Sequence, residues 1–243
     1  MRVIVNGARG KMGSLACNVL DRHPDFTLVA ALGREDNLGE AIEQNKAGIV
    51  VDLTNADSVY VNSKIIIEHG AHPVIGTSGL MDEQIKELQS RCEQLQLGGL
   101  VVPNFSISAV LMMHFAAIAS SWMSEVEIIE MHHQQKLDAP SGTALKTAEI
   151  IAAARKSPRK QLSLKELIPA VRGGRHEDIN IHSLRLPGVL ARQQVIFGHP
   201  GETLSITHDS IDRTSFMPGL LLACQKVGDL KTLHYGLETL LDL

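Results

Sequence analysis

His132, His133 and Lys136 fall within one short stretch, Glu130-Met131-His132-His133-Gln134-Gln135-Lys136-Leu137-Asp138-Ala139-Pro140-Ser141-Gly142-Thr143. An imidazole exchanges protons near neutrality, and a lysine in a cleft carries positive charge or gives up a proton. Ser141 suits the cap of a helix that Gly142 and Thr143 open, and Gly142 lets a ligand approach the backbone closely. Unpaired N–H groups at a helix start, together with the helix dipole, attract a carboxylate or phosphate. The stretch therefore reads as a seat for a small anion with acid/base groups beside it. A single histidine is commonly a packing residue. Two adjacent histidines, a lysine and an anion seat in one loop point to function. Adjacent histidines lack the usual ligand spacing and no cysteine lies near, so no metal is expected.

The loop needs two elements to hold it. Glu125-Val126-Glu127-Ile128 alternates as a strand does. Ala144 to Arg155 is rich in helix formers, with Leu145, Ala148, Ile151 and Ala152 on one face. The loop thus joins a strand to a helix.

A second kind of chemistry opens the chain. Val3-Ile4-Val5 reads as a buried strand, Gly7-Ala8-Arg9-Gly10-Lys11-Met12-Gly13 as a glycine-rich turn, and Ser14 to Arg22 as a helix. That order is the layout of a dinucleotide-binding unit, with a pyrophosphate on the helix N-terminus and Arg9 and Lys11 near its charge. The second strand, Leu28 to Leu32, ends in Gly33-Arg34. Arg34 suits a 2′-phosphate, which favours NADPH, while Glu35 and Asp36 follow directly and keep NADH open.

Further strands are expected at Gly48–Thr54, Pro73–Gly76 and Leu100–Val102. Helices are expected at Glu40–Asn45, Ser58–His69 and Asp82–Gln94, the last with Ile85, Leu88 and Leu95 inward. Alternating strands and helices imply a covered parallel sheet that binds ligands at the carboxyl ends of its strands. Gly76, Thr77, Ser78, Val102, Pro103, Asn104 and Phe105 then share one rim, with Thr77, Ser78 and Asn104 towards the nicotinamide ribose or ring. A helix from Ile107 to Ser124 and a polar break at Ser157-Pro158-Arg159-Lys160 follow. Asn180–Leu186, Val189–Gly198 and Glu202–Asp209 read as β segments. With Glu125–Met131 they make a mixed, largely antiparallel sheet. Helices at Leu220–Val227 and Leu233–Leu241 close the chain.

Composition limits the alternatives. The chain has 243 residues, 44% hydrophobic and 21% charged, as ordinary globular proteins do. A net charge of −4, no basic run and 3% aromatics give no footprint for nucleic acid. Cys17, Cys92 and Cys224 are scattered, which fits free thiols in the cytoplasm. The N-terminus lacks the apolar segment of a signal peptide, and no run of apolar residues is long enough to span a membrane.

These motifs resemble those of the 4-hydroxy-tetrahydrodipicolinate reductase (dihydrodipicolinate reductase) family over nearly the whole chain. The family's GAxGRMG is met by Gly7 to Gly13, its GTTG by Gly76-Thr77-Ser78-Gly79 and its PNFS by Pro103 to Ser106. Its E-x-H-H-x-x-K-x-D-A-P-S-G-T-A is met in full by Glu130 to Ala144, and its R-x-x-F by Arg213 and Phe216. The resemblance implies an α/β chain with a Rossmann-like dinucleotide-binding domain over 1–106 and 214–243. It implies an α+β domain over 107–213 for substrate binding and oligomerisation. It implies that His132 donates or accepts a proton, that Lys136 donates one, and that His133, Lys136, Gly142 and Thr143 hold a dicarboxylate, one carboxylate of which the helix start at Ser141 to Thr143 suits. It also implies a cofactor site lined by Gly7 to Met12, Arg34, Gly76 to Ser78 and Val102 to Phe105, use of NADPH or NADH, and a homotetramer built through the second sheet. This sequence departs from the family where GxxGEHxVxF becomes Gly188 to Phe197, with Ala191, Arg192 and Gln193 replacing Gly-Glu-His. Ala56 and Ser108 also differ, and the chain is shorter between Ala31 and Val50. Two other functions remain open: a cofactor-binding sensor without catalysis, and a dehydrogenase of another amino-acid-derived acid.

Overall fold

A computed structural model describes residues 1–156, 165–241 and 243. In chain order it contains β1 (Arg2–Asn6), α1 (Lys11–Arg22), β2 (Thr27–Leu32), α2 (Leu38–Asn45), β3 (Ile49–Asp52), α3 (Val59–Glu68), β4 (His72–Ile75), α4 (Asp82–Leu95) and β5 (Gly99–Val101). Then come α5 (Ile107–Ser120), β6 (Glu125–His132), α6 (Gly142–Ala154), β7 (Gly174–His176), β8 (Ile179–Arg185), β9 (Ala191–His199), β10 (Glu202–Ser210), α7 (Met217–Lys226) and β11 (Leu233–Tyr235). The chain divides into two compact units, Met1–Ile107 with Arg213–Leu243, and Ser108–Asp212. The polar break expected at Ser157-Pro158-Arg159-Lys160 lies outside the described residues.

The first unit holds a parallel sheet in the order β11-β5-β4-β3-β1-β2. Val3, Ile4, Val5, Val50 and Val51 are wholly buried because helices cover both faces. From β1 the chain goes to β2 on one side and returns to β3 on the other. The strand order therefore reverses between β1 and β3, where Asn6 lies beside Asp52. Ile4, Val50 and Ile66 pack with Leu38 and Ile42 on one face. Ile75, Val101 and Leu88 pack with Val59 and Cys92 on the other.

Several expectations are corrected. α1 begins at Lys11 rather than Ser14, because extended Gly10 is its cap and Lys11 and Met12 are good helix formers. α5 stops at Ser120, short of Ser124. Leu95 is exposed, and Cys92 fills the inward position expected of it. The expected helix at Leu233–Leu241 is instead β11 followed by a 3₁₀ turn at Leu237–Leu240. β5 offers an open sheet edge, and Gly99 lets Leu233 lie against it: a Cβ at Gly99 would stand 2.6 Å from Leu233 Cδ1. Gly236, with φ +95°, then breaks the run.

The second unit holds a mixed sheet in the order β10-β9-β6-β8-β7, in which only the β6–β8 pairing is parallel among the described residues. Strand β7 at Gly174–His176 was not anticipated. Val126 and Ile128 of β6 join Ile179, Ile181, Val195 and Phe197 against Met112, Ala116, Ala148 and Ile151 of α5 and α6. Each fully buried aliphatic side chain there contributes about 1.5–3 kcal/mol. The opposite face carries Glu127, Ile129, His182 and Ile196.

Candidate active site

Strand β6 supplies the first side chains. Its buried positions are Val126, Ile128 and Glu130, so the two-residue period that fills the core ends on a carboxylate. His132, one step further, lies on the same face. Glu130 is wholly buried. Its Oε2 stands 2.5 Å from His132 Nδ1 and accepts from Arg185 Nη1 at 3.0 Å. Burial favours the neutral acid, but hydrogen bonds from His132, Ser183 and Arg185 outweigh it and hold the Glu130 carboxyl below the ordinary carboxylate range.

The loop after β6 brings Lys136 to the same place. Lys136 Nζ donates to Asp138 Oδ2 at 2.7 Å, and this bond holds the exposed Asp138 carboxyl low. Arg185 spans the loop: its Nε donates to Lys136 O at 3.2 Å and its Nη2 to Asp138 O at 2.6 Å. His133 Nδ1 is buried with no hydrogen-bond partner among the described residues.

The helix start matches its expectation in form. Ser141, 3% exposed, caps α6 by accepting from Ala144 N at 3.2 Å. Thr143 is half-buried on the first turn. A Cβ placed on Gly142 would meet nothing within 4 Å, so the backbone there faces open space. His132, His133, Lys136, Ser141, Gly142 and Thr143 thus belong to one β–α connection.

At the carboxyl rim of the first sheet, Gly7 has φ +85°, and Gly7 and Ala8 donate to Leu32 O. A Cβ on Gly13 would stand 2.1 Å from Gly7 O, so this glycine permits close packing of α1 on the turn. Gly10 is less crowded, with Gly7 O at 3.4 Å. Lys11 and Met12 open α1. The Arg9 guanidinium lies beside Gly33, and Arg34 is exposed in the same turn. Asp36 accepts from Gly33 N at 2.7 Å, so this acid is engaged by the turn itself. The glycine turn, the helix start and the cations Arg9, Lys11 and Arg34 fit a dinucleotide phosphate chain.

Thr77 Oγ1 donates to Asp52, while Ser78 is exposed. Pro103 is exposed, and Asn104 Oδ1 accepts from Ser106 N at 2.9 Å ahead of α5. Val102 and Phe105 are buried; the Phe105 ring lies over Gly76, where a Cβ would stand 2.5 Å from its Cε2. Phe105 therefore packs this rim from beneath.

Sequence reasoning missed Arg185, Glu130 as a functional group, and Asp52. Asp52 is wholly buried and accepts from Asn6, Thr54, Asn62 and Thr77. The alternation along β6 could have flagged Glu130, because it occupies an inward position of an apolar stripe. Among the described residues, no group of three or more His, Cys, Asp or Glu stands in metal-binding range. No helix among them is long and apolar enough to cross a membrane.

Two family profiles together match almost the entire chain: "Dihydrodipicolinate reductase, N-terminus" over residues 1–105 and "Dihydrodipicolinate reductase, C-terminus" over residues 108–241. The chain belongs to the dihydrodipicolinate reductase family. The 4-hydroxy-tetrahydrodipicolinate reductase of Legionella pneumophila (strain Paris) is 68% identical over 240 residues, covering 99% of both chains. That of Coxiella burnetii (strain RSA 493 / Nine Mile phase I) is 49% identical over 241 residues, again with 99% coverage of each. The solved structure of a dipicolinate-bound dihydrodipicolinate reductase from Paenisporosarcina sp. TG-14 superposes with a TM-score of 0.93 at 40% identity, covering 99% of each chain.

The departures from the family pattern at Ala191, Arg192 and Gln193 lie on β9, beside the candidate site. Gln193 is buried opposite Glu130, and its Nε2 donates to Thr147 Oγ1 at 2.7 Å. Thr147 in turn donates to Thr143 O at 2.7 Å, so Gln193 braces the first turn of α6. Arg192 pairs with Asp209 across the β9–β10 ladder at 3.5 Å, and Ala191 stands opposite His132. The family's dinucleotide-binding fold supports use of NADH or NADPH.

Proposed function

We propose that this chain reduces (2S,4S)-4-hydroxy-2,3,4,5-tetrahydrodipicolinate to 2,3,4,5-tetrahydrodipicolinate, in the diaminopimelate route to lysine. One hydride and one proton enter and one water leaves. The observation that carries the reading is the β6–α6 connection, where His132, Lys136 and a capped helix start stand together. NAD(P)H supplies the hydride when bound.

His132 trades the proton and Lys136 donates one as hydroxide leaves as water. Lys136 and the unpartnered His133 Nδ1 draw the substrate carboxylates, and Ser141, Gly142 and Thr143 offer the helix start to one of them. Gly7 to Met12, Arg34, Gly76 to Ser78 and Val102 to Phe105 line the cofactor site. The first unit is the dinucleotide-binding domain and the second the substrate domain. Arg9 and Arg34 at the end of β2, with Asp36 turned onto Gly33 N, favour NADPH over NADH. The open face of the second sheet, around Glu127, Ile129, His182 and Ile196, is the contact through which four copies assemble. A biosynthetic enzyme with free Cys17, Cys92 and Cys224 suits the cytoplasm.

The test is steady-state oxidation of NADPH and NADH with freshly generated substrate. Turnover that falls on His132→Gln and on Lys136→Ala supports the reading. Cofactor binding without turnover by the wild-type protein would overturn it in favour of a sensor.

A further inference from the structure

Register places five polar groups on one face of the second sheet. Ser183 of β8 and Gln193 of β9 stand opposite Glu130, and Arg185 of β8 stands opposite His132. Glu130 is buried beneath them and accepts from both His132 Nδ1 and Arg185 Nη1. The same guanidinium reaches the carbonyls of Lys136 and Asp138. One carboxylate and one guanidinium therefore touch every element that carries a proton in the proposed reaction.

We propose that Glu130 and Arg185 are positioning residues that fix His132 with its proton on Nδ1, leave Nε2 as the working nitrogen, and hold the Lys136 loop in register with it. The inference rests on the proton role given to His132 above. A carboxylate only accepts, so the nitrogen facing it carries the hydrogen. Nε2 then has a lone pair. It takes a proton from a ring carbon of the substrate as hydroxide leaves, the imidazolium is held by Glu130, and the same Nε2 proton returns to the substrate once the hydride has arrived. The ring returns to neutral with its Nδ1 proton unmoved.

Arg185 balances the Glu130 charge while His132 is neutral and keeps the carboxylate from rotating away. Its bonds to two loop carbonyls tie Lys136 to the same frame. Gln193 is a neutral amide and donates its Nε2 hydrogen to Thr147 rather than to Glu130.

Nitrogen-15 spectra of histidine-labelled full-length protein test the claim directly, with the His132 signals assigned by their loss in His132→Gln. We expect a pyrrole-type signal for Nδ1 and a pyridine-type signal for Nε2 of neutral His132. The reverse assignment in the wild-type protein would overturn the proposal, and it needs no variant at Glu130. In Glu130→Gln the amide oxygen stays with Arg185 and the NH₂ turns to Nδ1, inverting the tautomer. kcat should fall about a hundredfold, with KM for NADPH within about twofold of wild type. Arg185→Lys keeps the charge but loses the fork. It should preserve the tautomer and raise KM for the dicarboxylate. An unchanged kcat in Glu130→Gln would sink the proposal. Normal turnover by His132→Gln would instead remove the proton role of His132, while the wild-type spectrum still decides what Glu130 does to the ring.

Discussion

Thr77 Oγ1 donates a hydrogen bond to Asp52 Oδ1 across 2.7 Å, joining the ends of two neighbouring strands. Thr54 Oγ1 donates to the same oxygen, also at 2.7 Å. An acceptor-only carboxylate takes the hydroxyl proton of each threonine. Thr54 oxygen is further occupied by Asn62 Nδ2 and Ser58 Oγ. With its proton committed to Asp52, Thr77 Oγ1 can only accept from a further partner, so in the proposed cofactor site it would take a donor such as a carboxamide N–H or a ribose hydroxyl. Asp52→Asn replaces one acceptor oxygen by a donor in a cluster already full of donors. We expect a loss of about 1–3 kcal/mol in stability, read by urea unfolding, and roughly tenfold weaker NADPH binding in titration. Binding and stability both unchanged would show that Asp52 does not organise this rim.

Arg34 gives a prediction of selectivity rather than of rate. A charged hydrogen bond to a 2′-phosphate is worth about 1.5–3 kcal/mol, or about tenfold to a hundredfold in affinity. Arg34→Ala should raise KM for NADPH by that factor and leave KM for NADH within about twofold. Equal effects on both cofactors would mean that Arg34 does not read the phosphate.

Local chemistry was legible in the sequence, and contact across the sheet was not. The β1–α1 turn and the Ser141 cap depend on residues a few positions apart, so spacing alone reveals them. Gly7 with its positive φ and Ser141 bonded to Ala144 N show the physical reason. Arg185 lies 55 positions from Glu130, and only the parallel register of β6 with β8 brings them together. The C-terminal segment failed for a related reason. Leu233 to Leu241 contains the apolar residues of a short helix, but the vacant edge of β5 makes Leu233 to Tyr235 a strand. Tertiary pairing overrides local propensity there.

Acid should destabilise the protein partly through Glu130. Its carboxyl is held low in the folded chain, so the unfolded chain binds the proton more readily. The stabilisation is complete above the ordinary glutamate value of about 4.3 and is lost as pH falls through the folded-state value. Urea midpoints should therefore drop below about pH 4.3, and the drop should be shallower in Glu130→Gln. The same slope in both proteins would show that other carboxylates govern acid unfolding.

Ser141 and Gly142 separate the two duties of the α6 start. Ser141→Ala removes the bond to Ala144 N in a buried setting and should cost about 1 kcal/mol of stability. Gly142→Ala does the opposite. Gly142 is not among the positive-φ glycines, and its added methyl meets no protein atom within 4 Å. The chain should gain about 0.4–1 kcal/mol through reduced freedom of the unfolded state. That same methyl would occupy the space through which a carboxylate reaches the backbone N–H groups. KM for the dicarboxylate should rise at least about tenfold, the scale of one charge-assisted hydrogen bond, while KM for NADPH stays constant. A more stable Gly142→Ala protein with unaltered substrate KM would place the carboxylates elsewhere, and the unpartnered Nδ1 of His133 would become the group to test next.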